Sequence, residues 1–141
     1  SQLTLLWVSP LERAVAEVAR VLTTGGVLVA LEPDYGGMIE HPEAVAARDL
    51  WISGLERAGA DPCVARKLPG LLAELGFEVH VGLFNTLEEP DLARFDLLRG
   101  LPLTDQKRAR LDQIESMARE LKAPWSQIAH LPFFVVRATK R

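Results

Sequence analysis

The sequence predicts an α/β fold, and three patterns indicate it. Residues 27–31 form an unbroken apolar run, which is typical of a strand covered on both faces of a sheet. A stripe of apolar residues at helical spacing precedes this run over residues 11–22. Residues 77–83 alternate between apolar and polar, which favours a strand with one face more exposed. Helices that alternate with strands in this way predict a sheet with packed helices.

The first helix is predicted over residues 10–23. Ser9 is expected to act as its N-cap, and Pro10 occupies the first position, where a missing N–H costs nothing. Glu12 then completes a capping box with Ser9. Gly25 follows the helix and suits the left-handed conformation that ends many helices.

Further helices are predicted between the buried strand and the strand at 77–83. One is expected to begin at His41-Pro42-Glu43 and to end at Gly59. Shorter helical turns are expected to begin at Asp61-Pro62 and at Pro69.

The C-terminal part of the chain is predicted to contain an insertion and a final strand. Residues 85–131 carry no strong strand signal, and their apolar spacing indicates two helices separated by Gly100 and Pro102. Phe133–Val136 form the final strand, with Pro132 at its first position. At the other end, the chain opens with the apolar residues Leu3, Leu5, Leu6, Trp7 and Val8 and with no preceding turn or cap, as if in the middle of an element.

Composition limits the classes of function. The chain has 141 residues, of which 48% are hydrophobic, and this predicts one domain. A net charge of −3 with dispersed basic residues disfavours nucleic acid as a partner. The longest apolar runs are about five residues, far below the ~20 that span a bilayer, so we expect a cytoplasmic protein with no membrane partner. Cys63 is the only cysteine and the three histidines lack metal-ligand spacing, so no metal site is expected.

Three stretches together resemble one family. They read LLWV…AVAEVARVLTTGGVLVALEPD, LPGLLAELGFEVHV and PFFVVRATK. They are similar to the C-terminal half of a class I S-adenosylmethionine-dependent methyltransferase of the small-molecule and quinone-type group. That group has an E-x-x-R-V-L-x-P-G-G turn, and the matching residues are Glu17, Arg20, Val21, Leu22, Gly25 and Gly26. Thr24 stands where the family usually has proline.

The resemblance implies a partial Rossmann-like sheet. Its strands would be equivalent to the family's fifth, seventh and sixth, with residues 1–7 as a remnant of the fourth. The final strand would lie antiparallel between the other two. Residues 1–141 would form one methyltransferase-like domain, and the helical insertion at residues 85–131 would act as a lid that sets the choice of methyl acceptor. The activity implied is transfer of a sulfonium methyl group to a small-molecule nucleophile.

The resemblance also implies that the cofactor-binding half is missing. In the family a glycine-rich loop and two acidic residues hold S-adenosylmethionine, and all three lie upstream of the part that this chain matches. No G-x-G-x-G occurs in the sequence. We therefore expect S-adenosylmethionine to be the cofactor of the complete enzyme and expect this chain alone to bind it poorly or not at all. The chain is either a fragment of a longer methyltransferase or a descendant that has lost the cofactor half.

Four residues are candidates for site roles. Glu32, Asp34 and Tyr35 follow the buried strand, at the end where open α/β sheets bind ligands, and are predicted to bind substrate. A polar loop with Asp34 as a turn residue is the alternative. The resemblance places Gln2 among residues that line the methionine end of the cofactor, whereas a chain terminus is often frayed.

A partner is expected at the sheet. A long apolar strand with an unpaired edge promotes association, so residues 27–31 should pair with the N-terminal segment or with another copy. A homodimer through a sheet edge or exposed helix faces is the expected assembly. A non-enzymatic dimerisation or interaction module derived from a methyltransferase is the alternative to an enzyme.

Overall fold

The structure is a computed structural model that describes residues 1–84 and 86–141. The strands are β1 (Val27–Pro33), β2 (Ile39–His41), β3 (Phe77–Phe84), β4 (Ile128–His130) and β5 (Phe133–Lys140). The helices are α1 (Leu11–Val21), α2 (Arg48–Arg57), α3 (Val64–Glu74), α4 (Arg94–Arg99) and α5 (Asp105–Glu120). Short 3-10 turns lie at Leu5–Trp7, Tyr35–Gly37 and Glu43–Val45. The predicted α/β class is confirmed.

The chain forms two compact units. The first unit combines Ser1–Asp34, a middle segment that begins at Cys63, and Pro132–Arg141. The second combines Tyr35–Pro62 with Thr86–Leu131. The predicted insertion begins at Asn85, which lies outside the described residues. That the chain is one domain with a lid stays a prediction.

The first unit is built on a three-stranded sheet in the order β1-β5-β3. The last strand, β5, is antiparallel to both neighbours, and Val136 lies opposite Ala30 on one side and Val81 on the other. The predicted position of the final strand between the other two is therefore confirmed.

One face of this sheet carries the core of the first unit. Helix α3 packs against all three strands and α1 packs against α3. Residues with at most 7% exposure form this core: Leu11, Val15, Ala30, Leu68, Leu72, Phe77, Val136 and Ala138. The alternation of a strand places Val27 and Val29 on the opposite face, where they are 42% and 50% exposed. The prediction that residues 27–31 are covered on both faces is wrong.

The outer edge of β1 is partly covered by the N-terminal segment. Gln2 forms a parallel bridge with Leu31. The Leu31 N–H donates to the Ser1 carbonyl at 3.1 Å, and the Leu3 N–H donates to the Leu31 carbonyl at 3.0 Å. The predicted pairing of the buried strand with the N-terminus is confirmed, but the expected strand at residues 1–7 is reduced to this bridge and a 3-10 turn.

Helix α1 begins one residue later than predicted, and its C-terminal end is capped by a residue of the last strand. Pro10 has an extended backbone and is itself the N-cap, with no side-chain cap hydrogen bond, so Ser9 as N-cap was wrong. At the other end, Lys140 Nζ donates to the carbonyls of Ala19 at 2.5 Å and Leu22 at 2.8 Å. Gly25 has the expected positive φ of 82°.

Two helix starts were also wrong. Residues predicted to begin the second helix instead form β2 and a 3-10 turn, and α2 begins at Arg48. The Glu40 carboxylate explains this start, because its two oxygens accept the N–H groups of Ala47 at 2.7 Å and Arg48 at 3.0 Å. Pro69 lies inside α3 and does not begin a helix.

The second unit contains helices α2, α4 and α5 and a small sheet. Strands β2 and β4 pair antiparallel, with Glu40 opposite Ala129. The sequence carried no signal for β4, which is only three residues long. Helices α4 and α5 confirm the two predicted helices of the insertion. The core of the unit is formed by Val45, Ala47, Leu50, Phe95, Leu98, Leu103, Leu111, Ile114 and Ala118.

A charged cluster borders this second core. Glu115 on α5 is 9% exposed and accepts a hydrogen bond from Arg119 at 2.5 Å. It also forms an ion pair with Arg99, which in turn donates to Asp112 at 2.7 Å. The hydrogen bond from Arg119 is the main cause that lowers the pKa of Glu115 below its ordinary 4.5, against the opposing effect of burial.

We predict that Glu115 makes the stability of the protein depend on acid. Its folded-state pKa is depressed, so its contribution is complete above the ordinary pKa of 4.5 and is lost as the pH falls through the lower folded-state pKa. Urea unfolding between neutral and acidic pH should show a smaller fall in the free energy of unfolding for Glu115→Gln than for the unsubstituted protein. Glu120→Gln, at an exposed position on the same helix, is the control. Equal acid dependence in all three proteins would contradict the prediction.

Candidate substrate site

Glu32 is near the end of β1 and holds the N-terminal turn. Its side chain is fully buried, and Oε1 accepts the N–H groups of Thr4 at 3.1 Å and Leu5 at 3.0 Å. The Ser1 hydroxyl donates to the same oxygen at 3.2 Å. Because these donors belong to the start of the 3-10 turn, Glu32 acts as its cap from a neighbouring strand. A substrate would reach this carboxylate only if the turn moved.

Asp34 comes directly after β1 and is paired with α3. Asp34 is 3% exposed, and both of its carboxylate oxygens accept hydrogen bonds from one guanidinium group. Arg66 Nε lies 2.9 Å from Oδ1, and an Arg66 terminal nitrogen lies 2.5 Å from Oδ2. This bidentate pair raises the pKa of Arg66. A substrate cation would have to displace Arg66 before it could pair with Asp34.

Tyr35 is the first residue of the second unit and packs on α2. Its ring lies 5.5 Å from that of Trp51, centroid to centroid, with the planes inclined by 32°. Its N–H donates to the Pro62 carbonyl at 3.0 Å. Burial of the phenol raises the pKa of Tyr35, so it stays protonated well into the alkaline range. The pair forms a half-buried aromatic surface on the second unit.

Gln2 is held in place by the backbone. It is exposed and lies in the bridge with Leu31, and its carbonyl accepts from the Thr4 hydroxyl at 2.8 Å. The fraying that a chain terminus favours is therefore limited at this residue. Its proposed role toward the cofactor stays a prediction.

The second unit also contains a polar cavity of about 220 Å³. The lining residues are Met38, Glu40, Glu43, Ala46, Arg48, Asp49 and Arg110. Glu40 is engaged at the start of α2, and Arg110 lies 2.7 Å from Asp49. The Met38 N–H donates to the Tyr35 carbonyl at 3.4 Å, so one segment contributes both to this cavity and to the aromatic pair.

Sequence reasoning missed the partners of its own candidate residues. Arg66 and Trp51 are separated from Asp34 and Tyr35 by 32 and 16 positions, respectively. No local spacing rule joins residues so far apart. The only hint in the sequence was the position of Glu32 and Asp34 at the end of an apolar strand, because a carboxylate that is buried there requires a partner.

Residues 1–84 and 86–141 contain neither a metal-binding cluster nor a membrane-spanning helix. No group of three or more His, Cys, Asp or Glu side chains is arranged to hold a metal ion within that part of the chain. None of its helices has the length and apolar character needed to cross a membrane.

The fold was compared with known proteins. No protein-family model matches the chain, and no curated protein matches it either. One similar solved structure is BH2331 from Bacillus halodurans, provisionally assigned as a methyltransferase, with a TM-score of 0.61 and 18% sequence identity. Another is YcgJ from Bacillus subtilis, with a TM-score of 0.58 and 11% identity. The match covers 99% of this chain and 62% of each of those chains.

These likenesses concern the fold. At sequence identities of 18% and 11%, the similarity shows that the chain has the methyltransferase-like α/β fold. It gives no information about the substrate. The chain spans 62% of the length of both structures, so it corresponds to a part of them.

We predict that Glu32→Ala releases the N-terminal turn. Removing the carboxylate takes away an acceptor for the Thr4 and Leu5 N–H groups. Hydrogen bonds to a charged group contribute about 1.5–3 kcal/mol, so hydrogen exchange at these two amides should accelerate by about tenfold to a hundredfold. Glu12→Ala, at an exposed position on α1, should leave both rates unchanged. Unaltered protection in Glu32→Ala would mean that another contact holds the turn.

Proposed function

We propose that this chain is the substrate-side part of an S-adenosylmethionine-dependent methyltransferase that acts on a small molecule. The observation that supports this most is the fold, which matches 99% of the chain to part of a protein assigned as a methyltransferase. The antiparallel β5 between β1 and β3 supports the same family, because the resemblance in the sequence implied that strand order.

The cofactor itself does not fit the residues of this part. The two carboxylates at the end of β1 are buried, and both are engaged within the protein. Glu32 binds the N-terminal turn, and Asp34 binds Arg66. We therefore assign no reaction step to this chain alone.

The second unit is where we place the methyl acceptor. The half-buried Tyr35 and Trp51 rings offer a surface for an aromatic or apolar molecule, and methyl transfer depends on positioning more than on acid–base catalysis. The cavity beside Met38 supplies polar groups within the same unit. In this proposal Tyr35 contacts the substrate, and Glu32 and Asp34 stabilise the fold of the first unit.

The second candidate is a non-enzymatic interaction module. The observation that favours it is that both acidic candidates are engaged internally, while Val27 and Val29 remain exposed on the sheet. Such a chain would keep the half-fold for contact with another protein.

We expect no saturable heat when S-adenosylmethionine is titrated into this chain at micromolar concentrations. The reason is that both carboxylates at the end of β1 are buried, with Asp34 paired to Arg66 and Glu32 bound through Oε1 to the N-terminal turn. Isothermal titration calorimetry measures this, with S-adenosylhomocysteine as a second probe. A dissociation constant on the order of 10 µM would contradict the expectation that this part lacks the cofactor site.

An acceptor test separates the two candidate functions. We expect catechol, phenol or a primary amine to shift the backbone amide NMR signals of Tyr35 and Met38 in a saturable way. We expect Trp51→Ala to weaken that binding, measured on the same signals, at least about tenfold, or about 1.4 kcal/mol. Trp125→Ala is the matched control, because Trp125 is an exposed indole of the same unit. No response to any of the three probes would favour the interaction module.

A further inference from the structure

Strand β3 is an open edge of the sheet. Its eight residues pair with β5 on one side, and among residues 1–84 and 86–141 no strand pairs with the other side. In an antiparallel sheet every second residue of an edge strand directs its N–H and C=O groups outward. Such a row of unpaired groups is a template for another strand.

The same strand exposes apolar side chains. Val81, Leu83 and Phe84 are 47%, 56% and 58% exposed, and all three lie in the second half of β3. The strand contains no proline and no lysine, which are the residues that commonly protect an edge. Unpaired backbone and exposed apolar side chains therefore coincide here.

The opposite edge of the sheet is less open. Residues Ser1 to Leu3 hydrogen-bond to β1 through Leu31, and the Ser1 ammonium group donates to the Val29 carbonyl at 2.8 Å. The edge where the sequence led us to expect association is thus partly occupied by the chain itself.

We propose that β3 pairs antiparallel with β3 of a second copy of this chain across a two-fold axis. The two sheets would then continue as one six-stranded sheet. An identical strand is a suitable occupant, because a two-fold axis perpendicular to the sheet keeps both faces in register and brings the same surface together twice.

The residue pattern of β3 is compatible with this pairing. An axis at Val81 places Val79 opposite Leu83 of the second copy and His80 opposite Gly82 of the second copy. Apolar side chains then face one another on the face that carries Val81, while on the other face Glu78 lies opposite Phe84 of the second copy. No like charges lie directly opposite, which would be destabilising. Glu78 and His80 already lie 3.3 Å apart on their own strand, so the pairing leaves their contact intact.

The contact is small, and this limits its strength. One pair of eight-residue strands buries less area than a standard interface, so we expect a dissociation constant on the order of 10 µM. The inference does not rest on the proposed function, since it concerns only the sheet edge. A failed dimer would leave the methyltransferase proposal unchanged.

Sedimentation velocity from about 1 to about 100 µM tests the pairing, since that range brackets the expected dissociation constant. The mass should rise from 15.6 kDa toward twice that value. Leu83→Lys replaces the apolar contact with Val79 of the second copy by a charge and should raise the dissociation constant at least about tenfold. Val29→Lys is the matched control, because Val29 is similarly exposed on β1, and it should not alter the dissociation constant.

A second measurement uses the unsubstituted protein, so it does not depend on whether a variant folds. Hydrogen exchange of the unsubstituted protein should slow in β3, and not in β1, as its concentration rises. A protein that stays at 15.6 kDa at the highest concentration would overturn the proposal. Dissociation by Val29→Lys with no effect of Leu83→Lys would also overturn it, because the contact would then lie on the sheet face.

Discussion

The sheet of the first unit depends on β5 having two partners. This strand pairs with β1 along residues 133–139 and with β3 along residues 133–140, so it joins segments that lie far apart in the sequence. Helix α3 covers the face that the three strands share, and Lys140 at the end of β5 caps α1. Loss of β5 would therefore separate β1 from β3 and expose the core between the sheet and α3.

The charges at the end of β1 are used to hold the fold together. Glu32 secures the N-terminal turn, and Asp34 joins the strand end to α3 through Arg66. Burying a carboxylate is costly unless it is paired. Asp34 has donors on both oxygens, whereas Glu32 has three donors on Oε1 and none on its buried Oε2. The same residues that marked a substrate site in the sequence therefore have structural partners. In the proposed function, substrate binding falls to Tyr35 and Trp51 and to the cavity in the second unit.

The two proposals draw on different surfaces. Methyl-acceptor binding is proposed for the second unit, which contains both the aromatic pair and the polar cavity. Self-association is placed on the free edge of the first unit, where backbone groups and apolar side chains are both exposed. Each can fail without the other. One face of the sheet is exposed at Val27 and Val29. Contacts with another molecule would add stability, since sheets of few strands are only marginally stable by themselves.

The sequence by itself determined the α/β class, the strands at β1, β3 and β5, and the glycine that ends the segment after α1. These features are local, because apolar periodicity and turn residues act over a few positions. Tertiary structure alone decided the exposed face of Val27 and Val29, the pairing of β2 with β4, and the partners of Asp34 and Tyr35. Those depend on which helices cover a face and on contacts between distant residues, and no short pattern encodes them.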